Sequence, residues 1–171
     1  MRPITRAPAF MRTATTSALI SHFRRLVYIA LTALCTIGAA GAADLSTAAG
    51  WWQPIDGKSG KPLGLINIYQ DHGLFFGRIE PSSPSDDGSR KCTRCPDERR
   101  NQPIIGLVLI RNMRQQGDEY VGGDIVDPDS GWIYGCKFRL IDDGKKLVMR
   151  GYFGISLFGR SQIWKRVEPN R

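Results

Sequence analysis

Beyond position 43 the residues with the most restrictive chemistry are Cys92, Cys95, Cys136 and His72. In an oxidising compartment thiols pair, so a structural disulfide is expected, with one thiol left over. The spacing leaves the choice open between a local Cys92–Cys95 bond and one from either residue to Cys136. The same thiols with His72 make a Cys3His set of the kind that suits tetrahedral zinc. No second Cys-x-x-Cys supports that reading, and no metal is expected. A redox role would need a helix N-terminus to lower a thiol pKa, and no helix is expected. Nucleophilic catalysis would have to use His72 as its base. That residue sits in the turn Asp71-His72-Gly73, without the surrounding shell a base requires. There is no GxSxG, HExxH or P-loop pattern. The paired carboxylates Asp86-Asp87, Asp127-Asp129 and Asp142-Asp143 read as turn chemistry. Asp124, Asp127 and Asp129 miss the spacing of an EF-hand calcium loop. No catalytic residue and no cofactor is therefore expected, and an enzyme is the least supported class.

A second group gathers around the first cysteine pair. Arg90, Lys91, Arg94, Arg99 and Arg100 fall within a 23-residue connection, 81–103. Its length suits either a binding loop or a solvated loop pinned by its cysteines. Asp97 and Glu98 interrupt the bases and no aromatic residue accompanies them, which speaks against a nucleic-acid surface. Contact with an envelope surface, such as anionic headgroups or cell-wall polymer, is the functional alternative.

The elements that must position these residues are strands. Eight runs rich in Val, Ile, Tyr, Phe and Trp are cut by Gly, Asp and Pro: 51–53, 63–70, 74–80, 104–113, 119–126, 132–141, 146–153 and 160–167. The turn signals between most of them are short, as antiparallel hairpins require. In the sixth run Trp132, Tyr134, Cys136, Phe138 and Leu140 share one face, because strand side chains alternate. In the fourth, residues 104–110 are apolar on both faces, which predicts the most buried strand. Eight hairpin-linked strands can close into an up-and-down antiparallel barrel, all-β, with a two-sheet sandwich as the alternative. Closure at eight leaves an interior that is filled by side chains or holds one small ligand. For a ligand, the inward candidates are Trp132, Tyr134, Phe138, Met149, Gln162 and Trp164, an apolar wall with a few polar groups. The alternative is that all of them fill the core. Arg150, if buried, would need a carboxylate partner.

The net charge of +8 is mostly an address. Residues 1–43 hold Arg2, Arg6, Arg12, Arg24 and Arg25 with no lysine and no acid. The remaining 128 residues carry 19 bases against 16 acids, ordinary for a single domain spanning 44–171. A basic stretch, an apolar run at 26–40 and the small residues Gly41-Ala42-Ala43 form the layout of a cleaved secretory signal. The run is short for a membrane span of about 20 residues. An uncleaved anchor is the alternative. Export to the periplasm or beyond is expected, and nucleic acid is not an expected partner.

Several stretches together resemble a known family. Gly50-Trp51-Trp52 opens the first strand and Arg100-Asn101-Gln102-Pro103-Ile104-Ile105-Gly106-Leu107 follows the cysteines. Gly122-Gly123-Asp124-Ile125-Val126-Asp127-Pro128 comes next. Arg150-Gly151-Tyr152 and Gly159-Arg160-Ser161-Gln162-Ile163-Trp164 close the chain. The pattern resembles the DUF2147 family of exported bacterial proteins, over roughly residues 50–168. The resemblance implies a lipocalin-like (calycin) barrel and no settled activity. It also implies structural roles: Gly50 and Trp52 at the closed end, with Arg160 or Arg166 laid over the indole. The expected function is binding of a small apolar or amphipathic molecule in the barrel. The alternative is an envelope-associated structural protein acting through its surface and the 81–103 loop.

Overall fold

Alternating side chains and short Asp/Gly turns give this chain one repeated unit, the hairpin, and the hairpins close on themselves. The computed structural model describes residues 44–168. Its strands are β1 (Gly50–Pro54), β2 (Leu65–Asp71), β3 (Leu74–Glu80), β4 (Val108–Gln116), β5 (Glu119–Val126), β6 (Ile133–Ile141), β7 (Lys146–Tyr152) and β8 (Gly159–Val167). Each pairs antiparallel with the next, and β8 returns to β1 through Trp52 opposite Arg166, so the barrel is closed and has no free edge. The predicted class and strand count hold. The expected leader, residues 1–43, lies outside the described residues.

In an up-and-down barrel, successive connections fall at opposite ends. Here the short ones share one end: His72-Gly73, Gly117-Asp118 and residues 142–145. His72 and Gly73 both have positive φ (47° and 80°), the twist that a two-residue hairpin needs. The four longer connections, 55–64, 81–107, 127–132 and 153–158, share the other end.

The short-turn end is packed solid. Trp52, Ile68, Phe75, Met113, Tyr120, Phe138 and Leu147 are all buried there. Tyr120 stacks on Phe138 with centroids 4.7 Å apart and meets Phe75 edge-on at 4.8 Å. Residues 44–49 cross beneath them as a plug. The Trp52 indole donates to Ala48 O (2.8 Å) and Ala48 N–H donates to the Tyr120 hydroxyl (3.0 Å).

The fourth strand departs from expectation. It begins at Val108, not 104, because residues 104–107 form a turn: Leu107 N–H donates to Ile104 O and Gly106 N–H to Ile79 O. Its two-sided apolar pattern has a different cause. The β3–β4 register shifts twice, and Asn112 takes φ 60°. Such bulges rotate extra residues inward, so Leu109, Ile110 and Met113 are all buried despite their irregular spacing.

Candidate ligand-binding site

β8 shows how the interior is graded. Its inward residues run Arg160, Gln162, Trp164, Arg166 from the long-loop end to the plugged end. Arg166 is the floor. Its guanidinium lies 4.3 Å from the Trp52 ring centroid and donates to three carbonyls: Gly144 (2.7 Å), Ala49 (2.9 Å) and Thr47 (2.6 Å). Gly50 makes room for it, since a Cβ there would stand 2.6 Å from one Arg166 nitrogen. Of the two arginines expected over Trp52, Arg166 takes the place. Arg160 is at the opposite end, exposed at the mouth.

Trp164 roofs the packed half, and above it the barrel is open. A cavity of about 1380 Å³ extends from Trp164 to the long loops, walled by Ile66, Ile79, Leu109, Ile125, Val126 and Met149. Charged groups, among them Asp56, Glu80, Asp86, Arg90 and Asp127, gather at its long-loop mouth, and Gln162 is the polar side chain set next to Trp164. The Trp164 indole donates to Gln162 Oε1 (2.9 Å), which fixes the amide and leaves its NH2 as a donor. Tyr134 and Arg160 stand nearer the rim. Gly151 faces inward between Tyr134 and Ile125. A Cβ built on it meets them at 3.8 and 4.0 Å, ordinary contact distances, so the missing side chain is part of the space.

Four of the six residues expected to line a ligand site do line this cavity: Tyr134, Met149, Gln162 and Trp164. Two do not. Trp132 precedes β6 and belongs to the 127–132 turn, so strand alternation does not reach it. It lies outside, 60% exposed, edge-on to Phe153. Phe138 does point inward, but at the height of Tyr120 in the packed half. Apart from Met149, the sequence also passed over the aliphatic wall and Gly151. Their signal was the inward parity of β2, β3, β5 and β7, not an aromatic character. Arg150 faces outward, and its partners are not carboxylates. Its guanidinium donates to Ser156 O (2.7 Å), Leu157 O (3.1 Å) and Ser161 Oγ (3.1 Å), holding the β7–β8 loop.

The cysteine question has a definite answer. Cys92 and Cys95 are bonded to each other and Cys136 is free. Cys136 is buried with its Sγ 3.4 Å from Met113 Sδ. Burial pushes its thiol up to about 12, so at neutral pH it is an unreactive core thiol. His72 is almost fully exposed in its turn, so the conceivable Cys3His set is not assembled. Among the described residues no three His, Cys, Asp or Glu side chains gather as metal ligands. Asp127 instead caps its own turn, accepting from Asp129 N–H (3.0 Å) and Ser130 Oγ (2.7 Å).

The 81–103 loop is largely exposed and pinned by its own Cys92–Cys95 bond. Its bases divide: Arg90 and Arg99 are paired with carboxylates, while Lys91, Arg94 and Arg100 are exposed without such a partner among the described residues. Lys91 and Pro103 pair across its base, and Cys92 N–H donates to Gln102 O. Gly131 has φ 79° and its α-carbon lies so close to the Arg94 carbonyl that no side chain would fit, which seats the loop on the 127–132 turn. Arg99, expected to be a surface base, is 4% exposed. It grips Asp97 with two bonds (Nε–Oδ1 3.0 Å, Nη2–Oδ2 2.6 Å). Arg111 of β4 then joins Asp97, Glu98 and Asp124 of β5, fastening the loop to the outer face of β4–β5. Arg90 pairs with Asp129 (2.7 Å).

The Arg99 hydrogen bonds hold the Asp97 carboxyl at about 2, below its ordinary 3.8, against the opposing pull of burial. A depressed carboxyl stabilises the fold above its unfolded pKa and loses that contribution as pH falls toward the folded value. At about 1.4 kcal/mol per unit, roughly 2 kcal/mol should vanish between about pH 4 and pH 2. Urea midpoints should show this slope, and Asp97→Asn should flatten it. An unchanged slope in the variant would mean that other carboxylates carry it.

The family model described as "Uncharacterized protein conserved in bacteria (DUF2147)" matches residues 50–166. No curated protein matches the chain. Among solved structures the chain is similar to protein HP1028 from Helicobacter pylori, which belongs to the lipocalin family. The two share 19% identity with a TM-score of 0.60, over 71% of this chain and 84% of that one. At that identity the likeness is one of fold. The matched segment opens on the Gly50-Trp51-Trp52 strand and ends on the Arg166 that closes the floor, so it is the barrel itself: the chain belongs to the DUF2147 family, with a lipocalin-like fold.

Proposed function

We propose that this chain is an exported, non-catalytic carrier that takes one small apolar or amphipathic molecule into the open half of its barrel. The observation behind this reading is the graded interior. One half is packed around Trp52 and Phe138, and the other is a cavity of about 1380 Å³ above Trp164 with aliphatic walls and a polar mouth. Burying one methylene contributes about 0.8 kcal/mol, so a chain of about eight supplies roughly 6 kcal/mol before association costs. The Gln162 NH2 offers a hydrogen bond to a carboxylate or hydroxyl head. Export would place the thiols where a Cys92–Cys95 disulfide persists. Action through the 81–103 loop is the less favoured alternative, because two of its five bases, Arg90 and Arg99, are already engaged by Asp129 and Asp97.

Two measurements test the proposal. Native mass spectrometry of protein recovered from the periplasm should give a chain starting near Asp44 with one disulfide and a co-purifying small molecule. Titration with N-phenyl-1-naphthylamine should saturate at one probe per chain, quench Trp164 and be reversed by oleate. Failure to bind the probe, with a delipidated chain of native melting temperature, would sink the carrier reading.

A further inference from the structure

The β7–β8 loop is built to hold apolar groups out of the protein. Phe153, Ile155, Leu157 and Phe158 are between 51% and 74% exposed within six residues. Trp132 extends the patch through its edge-on contact with Phe153. Soluble chains seldom leave such groups together in water without a use. Nor is this loop slack. The Arg150 guanidinium ties down the Ser156 and Leu157 carbonyls, and Phe158 N–H donates to Ile155 O, so the side chains are presented on a braced turn.

Charge indicates what covers it. From Gly144 to Val167 the chain has no Asp or Glu. At the loop's base stand Arg150 and Arg160, neither with a carboxylate partner among the described residues. An uncharged tip of aromatic and aliphatic groups over a collar of unpaired guanidiniums matches an anionic bilayer, apolar below and negative at its surface. A protein partner would be expected to bring acids to the arginines at fixed points, whereas Arg150 is already held by loop carbonyls and Ser161 Oγ and Arg160 has no carboxylate partner among the described residues.

We propose that the β7–β8 loop docks the chain on an anionic lipid surface, with Phe153, Ile155, Leu157 and Phe158 inserted at the headgroup boundary and Arg160 on the lipid phosphates. Phe158 and Arg160 also line the mouth of the cavity, so a docked chain would present that mouth to the bilayer. The docking stands apart from the carrier reading and is measured separately from it.

The test is sedimentation of the full exported protein with vesicles of phosphatidylcholine, with and without roughly 30% phosphatidylglycerol. Binding is expected to the anionic vesicles and to weaken with salt. Ile155→Ser with Leu157→Ser, neither of which lines the cavity, should reduce the bound fraction at least ~10-fold at unchanged melting temperature, and Arg160→Gln should reduce it a few-fold. Ile155→Trp adds a direct reading: its emission should shift to the blue on anionic vesicles. No sedimentation of the parent, or equal sedimentation of the doubly substituted chain, overturns the proposal. So does a concentration-dependent dimer that Leu157→Ser abolishes, which would make the loop a contact between copies. Loss of vesicle binding with intact probe binding separates this inference from the carrier function.

Discussion

Trp52→Ala should lower the unfolding free energy by about 3–5 kcal/mol, the range for truncating a large buried aromatic. The indole is completely buried and performs three tasks at once. It fills the floor, it donates to Ala48 O at 2.8 Å, and it faces the Arg166 guanidinium at 4.3 Å. Truncation leaves a cavity beneath Tyr120 and frees the 44–49 plug. Arg166→Met should cost a comparable amount by a different route, since three carbonyls lose their donor. The double variant should cost less than the sum of the two. The difference, measured from urea curves as a double-mutant cycle, should fall at about 0.5–2 kcal/mol for the cation–π pair and their shared contact with the plug. Strict additivity would show that the pair stabilises the floor independently. Arg160→Met, at the other end of the same strand, should leave stability within about 0.5 kcal/mol of the parent.

Gly151→Phe should weaken binding of the naphthylamine probe at least ~10-fold, a change of 1.4 kcal/mol. The position accepts a side chain on steric grounds. Its φ is not in the left-handed region and its nearest neighbours across the space are Tyr134 and Ile125 at ordinary contact distance. A phenyl group there would occupy cavity volume beside Tyr134 and Ile125 that the parent leaves open. Stability should be retained or slightly increased, because the new ring is buried against aliphatic walls and removes a flexible glycine from a strand. Val148→Leu, on the outward face of the same strand, is the control and should bind as the parent does. Weaker binding by Gly151→Phe with an unchanged melting temperature would place the ligand inside the barrel. Undiminished binding would place it elsewhere.

The fold was largely legible because its information is local. Each short hairpin carries its own turn residues, and each strand its own alternation, so the all-β reading and eight strands could be counted along the chain. Face was legible too: Tyr134, Met149, Gln162 and Trp164 do share the interior. Height was not. Phe138 and Tyr134 alternate identically in sequence, yet one is locked in the floor and the other stands near the rim, because which end of the barrel is packed is decided by Trp52 and the 44–49 plug, not by anything in β6. Bulges defeat the pattern for a related reason. Asn112 gives no warning that Ile110 and Met113 will point the same way. The Asp97–Arg99–Arg111–Asp124 network joins a loop to two strands, so its basic members looked like free surface charge. Trp132 misled because alternation was carried one residue past the end of its strand.

Segregating short turns to one end and long loops to the other divides the molecule in cooperativity as well as in space. Amides around Trp52 and Tyr120 should exchange only through global unfolding, while those of the four long connections open in local fluctuations. On the proposed carrier reading, a guest above Trp164 would be admitted and released by the part of the chain that can loosen cheaply. The plugged floor keeps the barrel closed throughout. Loop sequence at the mouth can accordingly drift without disturbing the half that makes the protein fold.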